Sequence, residues 1–155
     1  MKCRHCSKFL KTTFLDLGFA PPSNAYLISD KLKQPEKYYP LNIKVCTYCW
    51  LVQTEDYAQT DELFSSDYAY FSSTSISWLE HAKNYAKNAI TQLGLTKNSH
   101  VIEIASNDGY LLKNFVEVGI PCLGIEPTAS TAAVAKKLGI PVLQEFFGER
   151  LARYL

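Results

Sequence analysis

The chain has 155 residues, of which 47% are hydrophobic and 20% charged, and its formal net charge at pH 7 is +1. This composition is typical of a soluble globular protein, and the near-zero charge argues against nucleic acid or an anionic membrane as partner. No apolar run approaches the roughly 18 residues of a membrane span, and the first residues lack the apolar core of a signal peptide. We therefore expect a cytoplasmic protein of one ordinary domain or two small ones.

The first part of the chain contains two C-x-x-C pairs, formed by Cys3 with Cys6 and by Cys46 with Cys49. Four such thiolates can close a tetrahedron on zinc, which contributes roughly 10–16 kcal/mol to the folding of a segment with little core. Redox-active pairs and two disulfides are the alternatives. A reducing cytosol argues against disulfides, and the duplication of the pair argues against a thioredoxin-like motif. We predict a zinc-binding domain over residues 1–58, with His5 as a knuckle residue rather than a ligand.

The segment between the two pairs is expected to be rich in β structure. Pro21 and Pro22 exclude a helix, so we expect a short strand and an extended segment there. Alternating apolar and polar residues over 39–46 predict a half-exposed strand that runs into the second pair. Residues 50–53 then form the return strand.

Residues 59–98 are expected to form an aromatic loop and a connecting helix. The loop, residues 61–75, is dense in aromatic and hydroxyl side chains and has no clear period. It is either a linker or a binding loop that makes orienting hydrogen bonds over a ligand, and we favour the binding loop. The candidate side chains are Tyr68, Tyr70, Ser72, Ser73 and Ser75.

The connecting helix is predicted from an apolar stripe at helical spacing that begins at Ile76. Ser77 and Glu80 have the spacing of a capping box, and Gly94 predicts the end of the helix. His81 lies near the stripe, and we interpret it as a packed or surface residue rather than as a catalytic base.

The pattern of residues 99–155 is that of a parallel α/β domain. An apolar run broken only by Glu103 predicts a buried parallel strand over residues 101–105, which ends at a polar loop with a glycine. A helix follows, and a second strand over residues 122–125 ends on Glu126. This β-turn-α-β unit is typical of nucleotide-type sites.

In such a unit the helix start directs unpaired N–H groups into the crevice at the strand ends. The acidic residue that closes the second strand can accept hydrogen bonds from two neighbouring ribose hydroxyls. Glu126 has this position and lies 23 residues after Glu103, near the offset of about 20 expected for a ribose-binding acid.

The loop favours one ligand class over another. It contains only Gly109, whereas dinucleotide sites carry G-x-G-x-x-G so that the backbone can approach a pyrophosphate. Ala105 and Asn107 stand at glycine-preferring positions, and the acid at Glu103 suits the cationic end of S-adenosylmethionine. We favour S-adenosylmethionine over a dinucleotide. The remaining alternative is an α/β domain without a ligand, in which Glu103 and Glu126 only cap loops.

A second helix, capped by Thr128 or Ser130, and a third strand over residues 140–143 complete a β-α-β-α-β order, after which another helix begins. The predicted fold class is α/β, with a small zinc-ribbon-like β module followed by a partial Rossmann-like parallel sheet. A complete doubly wound sheet needs more chain. We therefore expect either the front part of a longer enzyme or a short protein that completes its sheet with a partner chain.

Several motifs occur together over nearly the whole chain: the two C-x-x-C pairs, Pro21–Tyr26, Tyr70–Ser75, Glu103–Gly109 and Gly124–Pro127. In this combination the chain resembles the front part of the zinc-binding, S-adenosylmethionine-dependent C-methyltransferases of nucleotide-deoxysugar biosynthesis. The resemblance implies a zinc-bearing N-terminal domain, a class I methyltransferase domain and a further C-terminal domain that this chain lacks. It also implies zinc and S-adenosylmethionine as cofactors and a nucleotide-linked keto-deoxysugar as acceptor.

The resemblance implies roles for individual residues. The aromatic loop would help to enclose cofactor and substrate, the turn from Asn107 to Gly109 would bind the methionine end, and Glu126 would hold the ribose. The candidate cofactor-binding residues are Tyr68, Tyr70, Ser73, Glu103, Ala105, Asn107, Asp108, Gly109, Glu126 and Pro127.

Two departures from the family pattern concern activity. Ala105 stands where the pattern favours glycine. The tyrosine and histidine that the family uses for proton abstraction lie beyond residue 155, so the catalytic residues are unknown and the chain alone is expected to bind without turnover. The alternatives are a non-catalytic zinc-ribbon and Rossmann binding module and an NAD-dependent enzyme.

Overall fold

The computed structural model describes residues 1–65 and 68–155 of the chain. They divide into two units, residues 1–63 and residues 64–155. The predicted α/β class is confirmed, with a small antiparallel sheet first and a parallel sheet with helices after it. None of the helices in the described part of the chain combines the length and the apolar character that crossing a bilayer requires.

The first unit is built on an antiparallel sheet of three strands, β1 (Thr12–Ala20), β2 (Tyr39–Val45) and β3 (Val52–Thr54), with β2 in the middle. β2 confirms the strand predicted before the second cysteine pair, and β3 confirms the return strand. β1 is longer than the short strand expected. A short 3-10 helix (Ser29–Lys31) and the helix α1 (Thr60–Leu63) complete the unit.

The first unit has almost no apolar core. Among its described side chains only Cys3, Cys46 and Gln53 are buried. The large apolar side chains of β1 face solvent, with Phe14 65% and Phe19 69% exposed. Apolar burial therefore contributes little to its folding, which is the situation in which small domains depend on a metal.

The long helix α2 (Ile76–Leu93) belongs to the second unit. The capping box expected at Ser77 is wrong: Ser75 caps the helix, because its backbone is extended and its hydroxyl accepts the N–H of Trp78 at 3.3 Å. The predicted end is confirmed, since Gly94 takes a left-handed φ of 61° there.

A parallel sheet follows α2, with its strands in the order β4 (Val101–Ile104), β5 (Cys122–Ile125) and β6 (Val142–Leu143). Helix α3 (Lys113–Val116) connects the first two strands, and α4 (Ala129–Lys137) connects the next two. The predicted β-α-β-α-β order is thus confirmed. α3 is shorter than predicted, because the residues before it form turns.

The core of the second unit gathers buried apolar side chains from α2, α3, the sheet and the region of α4: Ala86, Leu112, Phe115, Ile120, Cys122, Ala135 and Ile140. The last helix, α5 (Glu149–Tyr154), buries Leu151. The prediction that β4 is a buried strand is wrong for one of its faces, because Ile102 is 49% and Ile104 53% exposed. Side chains alternate along a strand, so only one face of β4 meets the core.

Candidate functional site

The four cysteines of the two pairs form one group in the first unit. Their sulfur atoms all lie within 4.8 Å of one another, with 3.6 Å between Cys3 and Cys49 and 3.5 Å between Cys6 and Cys46. Tetrahedral Zn–S bonds of about 2.3 Å place sulfur atoms roughly 3.8 Å apart, so the donor set fits zinc. The separations exceed the roughly 2.05 Å of a disulfide bond, and all four cysteines are free. His5 is not part of the group.

The two cysteine pairs form two separate backbone turns of the same type. The N–H of Ser7 donates to the carbonyl of Cys3 at 2.9 Å, and the N–H of Trp50 donates to the carbonyl of Cys46 at 2.8 Å. Ser7 and Trp50 both take left-handed backbone angles, with φ of 60° and 64°. The chain therefore builds the same metal-binding knuckle twice, at positions far apart in sequence.

Each knuckle favours the thiolate form of a cysteine. The backbone N–H of Cys6 lowers the pKa of the Cys3 thiol to about 6, although burial opposes this shift. The backbone N–H of Cys49 likewise lowers the pKa of Cys46. The backbone N–H of Leu51 acts to lower the pKa of Cys49, but burial and hydrogen bonds with the other three cysteines raise it to about 12. Because the thiolate is the form that binds a metal, the backbone favours metal binding at Cys3 and Cys46, whereas Cys49 loses its proton when the metal binds.

A cleft of about 400 Å³ opens in the second unit, where the strands of the parallel sheet end. Its wall contains six of the predicted cofactor-binding residues: Tyr68, Tyr70, Ala105, Asn107, Glu126 and Pro127. Four predicted residues lie outside this wall: Ser73, Glu103, Asp108 and Gly109. The other residues of the wall are Phe64, Ser72, Ile104, Tyr110, Ile125, Glu145, Phe146 and Phe147.

Some of these additional residues had a sequence signal and others had none. Phe146 and Phe147 follow the third strand, and the rule that ligands bind at the carboxyl ends of parallel strands applies to them as it does to Glu126. Phe64 has no such signal. Its ring centroid lies 5.4 Å from that of Tyr68, in the aromatic segment (residues 68–75), and 6.4 Å from that of Phe146.

The carboxylate of Glu126 lies in the wall of the cleft and is largely held by protein donors. Its Oε2 accepts the N–H of Asn107 at 2.9 Å, and its Oε1 accepts the N–H of Thr128 at 2.9 Å and also the Thr128 hydroxyl. A carboxylate has about four acceptor sites, so these three donors leave roughly one for a ligand. Glu126 therefore ties together the loops that follow β4 and β5.

The side chains of Asn107 and Asp108 hold the aromatic segment. Asn107 accepts the N–H of Ser72 on its Oδ1 at 2.9 Å and donates from its Nδ2 to the carbonyl of Tyr70 at 3.1 Å. Asp108 accepts the N–H of Ser73 on its Oδ2 at 2.9 Å. These three hydrogen bonds attach the aromatic segment, which forms one wall of the cleft, to the loop after β4.

Two unpaired carboxyl oxygens belong to Glu103 and Asp108, which adjoin the wall residues Ile104 and Asn107 along the chain but do not line the cleft; Glu103 lines a separate cavity with residues of α2. Glu103 Oε2 and Asp108 Oδ1 are buried, and neither has a partner within the described part of the chain. Burial raises the pKa of Glu103 to about 8, and the charges of Asp108 and Glu126 act in the same direction. A cationic ligand group nearby would lower this pKa and favour the carboxylate form, whereas a pyrophosphate would raise it further.

Three positions of the turn after β4 take left-handed backbone angles, and one of them is Asn107, with a φ of 49°. Ala105 has a φ of 59°, in the left-handed region that disfavours residues with a Cβ. Gly109 has a φ of 81°, and a Cβ built on it would lie 2.4 Å from Ile140 Cδ1 and 3.2 Å from Ala135 Cβ. The absence of a side chain at Gly109 therefore makes room for core side chains of the protein.

Comparison with known proteins relates both units to methyltransferases. Residues 3–64 match the model of a family described as "Putative zinc binding domain". Over 155 residues the chain is 28% identical to the C-methyltransferase NovU of Streptomyces niveus. The match covers 97% of this chain and 37% of NovU, so the chain spans little more than a third of the length of that relative. The resemblance noted in the sequence is thus confirmed as a similarity: residues 3–64 resemble a zinc-binding domain, and the chain resembles part of a C-methyltransferase.

Proposed function

We propose that this chain is the cofactor-binding part of an S-adenosylmethionine-dependent C-methyltransferase. It joins a zinc-binding domain to a parallel α/β unit, and it is similar over its length to part of a C-methyltransferase. The main support is the cleft, where one carboxylate and several aromatic rings surround a single space, while two buried, unpaired carboxyl oxygens belong to residues that adjoin its wall along the chain. The comparisons support the reaction class, and the chemistry of the cleft supports the ligand class.

The adenosine part of the cofactor matches one group of wall residues. The remaining acceptor site of Glu126 suits one ribose hydroxyl, rather than the two that the sequence suggested. The rings of Phe64, Phe146 and Phe147 offer apolar and stacking surface for the adenine base. We therefore assign these four residues to the nucleoside.

The positively charged part of the cofactor matches a second group. The carboxyl groups of Glu103 and Asp108, which lie outside the cleft wall, would supply negative charge near the ammonium group, and Glu103, whose pKa is about 8, would do so by losing its proton when the cation binds. The rings of Tyr68, Tyr70 and Tyr110 line the cleft, and aromatic faces attract cations such as a sulfonium. A dinucleotide would place its pyrophosphate near the same acids, which makes it the weaker candidate.

The zinc site has a structural role in this proposal. Four thiolates complete a tetrahedron and leave no open position, which is the pattern of structural rather than catalytic zinc sites. The metal would hold the first unit in its fold. No step of the reaction involves it.

Methylation of carbon needs a base to remove a proton, stabilisation of the resulting charge and a methyl donor in line with the carbon. The bound cofactor supplies the methyl group. The described residues supply binding and orientation, and none of them matches the tyrosine and histidine that the resemblance assigns to proton abstraction. We propose a nucleotide-linked keto-deoxysugar as acceptor, and binding without turnover for the 155 residues alone.

Calorimetric titration of the zinc-loaded chain with S-adenosylhomocysteine tests the ligand. We expect saturable binding, and an affinity roughly 10- to 100-fold lower in Glu126→Gln, because a hydrogen bond to a charged group contributes about 1.5–3 kcal/mol. Glu117→Gln, at an exposed position after α3, is the matched control and should bind like the unchanged chain. Thermal unfolding of each variant shows whether lost affinity reflects lost structure, since Glu126 also bonds Asn107 and Thr128.

Two outcomes would contradict this function. Binding of NADH without binding of S-adenosylhomocysteine would identify a dinucleotide site. Binding of neither ligand by a folded chain would favour a non-catalytic module.

A further inference from the structure

The inward-facing residue of strand β3 is polar. Val52 and Thr54 are exposed, and Gln53 between them is 5% exposed. An apolar side chain would be the ordinary choice at such a position, because a buried amide lowers stability unless its hydrogen bonds are made. The partners of Gln53 therefore indicate why a glutamine is there.

The Gln53 side chain bonds both knuckles of the metal centre. Its Nε2 donates to the sulfur of Cys3 at 3.3 Å and to the carbonyl of Leu51, just after the second knuckle, at 3.5 Å. Its Oε1 accepts the N–H of Arg4, inside the first knuckle, at 3.0 Å. One buried amide thus connects a metal-binding sulfur with the backbone on both sides of the site.

A zinc ion with four thiolates carries net negative charge, and this site is partly buried, with Cys3 2% and Cys46 1% exposed. N–H donors to the sulfur atoms stabilise that charge and fix the orientation of each ligand. Among the described residues 1–65, and apart from the cysteines themselves, Gln53 is the residue whose side chain donates a hydrogen bond to one of these sulfur atoms. Arg4 is charged, but its side chain bonds Asp56 and a backbone carbonyl instead.

We propose that Gln53 is a positioning residue of the zinc centre, which donates an N–H···S hydrogen bond to the metal-bound Cys3 thiolate and holds the two knuckles at the separation that zinc requires. Its effect reaches the metal through Cys3, since the amide itself is not a ligand. This role follows from the geometry of the first unit and does not depend on a cofactor in the second unit.

Cobalt substitution of Gln53→Leu, which keeps the size but removes the donor, tests this role. A thiolate that loses a hydrogen bond gives up electron density more easily, so we expect the sulfur-to-cobalt charge-transfer band to shift to longer wavelength. Zinc affinity, measured by competition with a chromophoric chelator, should fall roughly 10- to 100-fold. Gln59→Leu, at an exposed position of the same unit, is the matched control and should change neither quantity.

A direct measurement covers the case in which Gln53→Leu fails to fold. In the unchanged chain loaded with cadmium-113, an N–H···S bond predicts a scalar coupling between the metal and a side-chain amide proton of Gln53. Absence of that coupling would overturn the proposal. So would an unshifted charge-transfer band together with unchanged zinc affinity in a folded Gln53→Leu variant.

Discussion

The left-handed backbone of Ala105 is a local strain in the turn after β4. A Cβ in this region costs the folded state roughly 1–2 kcal/mol, which glycine would avoid. Glycine also gives the unfolded chain more conformational freedom, which lowers the free energy of unfolding by about 0.4–1 kcal/mol. We expect Ala105→Gly to raise the free energy of unfolding by roughly 0.5–1 kcal/mol, measured by urea denaturation with Trp78 fluorescence in a chain that also carries Trp50→Phe. Ala133→Gly, on the exposed face of α4, should lower it by about 1 kcal/mol, and a change of the same sign in both variants would contradict the assignment.

The raised pKa of Glu103 predicts a dependence of stability on pH. Its pKa of about 8 in the folded chain lies above its ordinary value of 4.5, so the folded state binds the proton more tightly than the unfolded state. This contribution is fully present below about pH 4.5 and is lost as the pH rises through 8.

Glu103→Gln, which cannot titrate, should remove that dependence. Between about pH 5 and pH 9 we expect the unchanged chain to lose at least about 1 kcal/mol relative to the variant, because one pKa unit corresponds to about 1.4 kcal/mol. Urea denaturation at both pH values measures the difference. Parallel pH profiles of the two proteins would show that Glu103 titrates normally.

At the scale of elements, the loop after β4 and the aromatic segment form one assembly. The carboxamide of Asn107 supplies both an acceptor and a donor to the segment, at Ser72 and Tyr70. Of the residues first predicted to bind the cofactor, Asn107 therefore has a second role: it holds a wall of the cleft in position.

Asn107→Ala should release the aromatic segment. We expect faster chymotryptic cleavage within residues 68–75, and roughly tenfold weaker binding of S-adenosylhomocysteine, because two hydrogen bonds worth about 0.5–1.5 kcal/mol each are lost. Asn107→Asp keeps the acceptor for Ser72 but loses the donor to Tyr70, so its cleavage rate and its affinity should lie between those of the unchanged chain and of Asn107→Ala. Asn88→Ala, on the exposed face of α2, is the control, and cleavage no faster in Asn107→Ala than in this control would contradict the role.

At the scale of the whole molecule, the two units have different sources of stability. The second unit buries a cluster of apolar side chains from its helices and sheet. The first unit buries two metal-binding cysteines and a glutamine that contacts one of them. We therefore expect zinc to take the place of an apolar core in the first unit.

Removal of zinc by a chelator should unfold one unit and leave the other folded. We expect the amide NMR signals of residues 1–63 to lose their dispersion, while those of residues 64–155 keep it. Cys46→Ser should have the same effect, and we expect metal analysis to find one zinc in the unchanged chain and none in this variant. Cys122→Ser, at the cysteine outside the group, should retain the metal, and dispersed signals from residues 1–63 without zinc would contradict a metal-dependent fold.

Much of this organisation is predictable because it depends on residues that are neighbours along the chain. The spacing within each C-x-x-C pair, the alternation in β2 and the glycine after α2 predict a metal knuckle, a half-exposed strand and a helix end. The order of strands and helices likewise predicts the parallel sheet. Errors occurred where two local signals competed, as at Ser75 and Ser77, since only the actual backbone conformation decides which hydroxyl caps the helix.

The sequence by itself determined the zinc ligands and the position of Glu126 after a parallel strand, because spacing and periodicity are local properties. The tertiary structure alone decided that Asn107 holds the aromatic segment, that the space at Gly109 is taken by core side chains, and that Gln53 contacts a zinc ligand. Each of these contacts joins residues that lie 26 to 50 positions apart. Such pairs are set by how strands and loops pack, and no pattern of neighbouring residues records them.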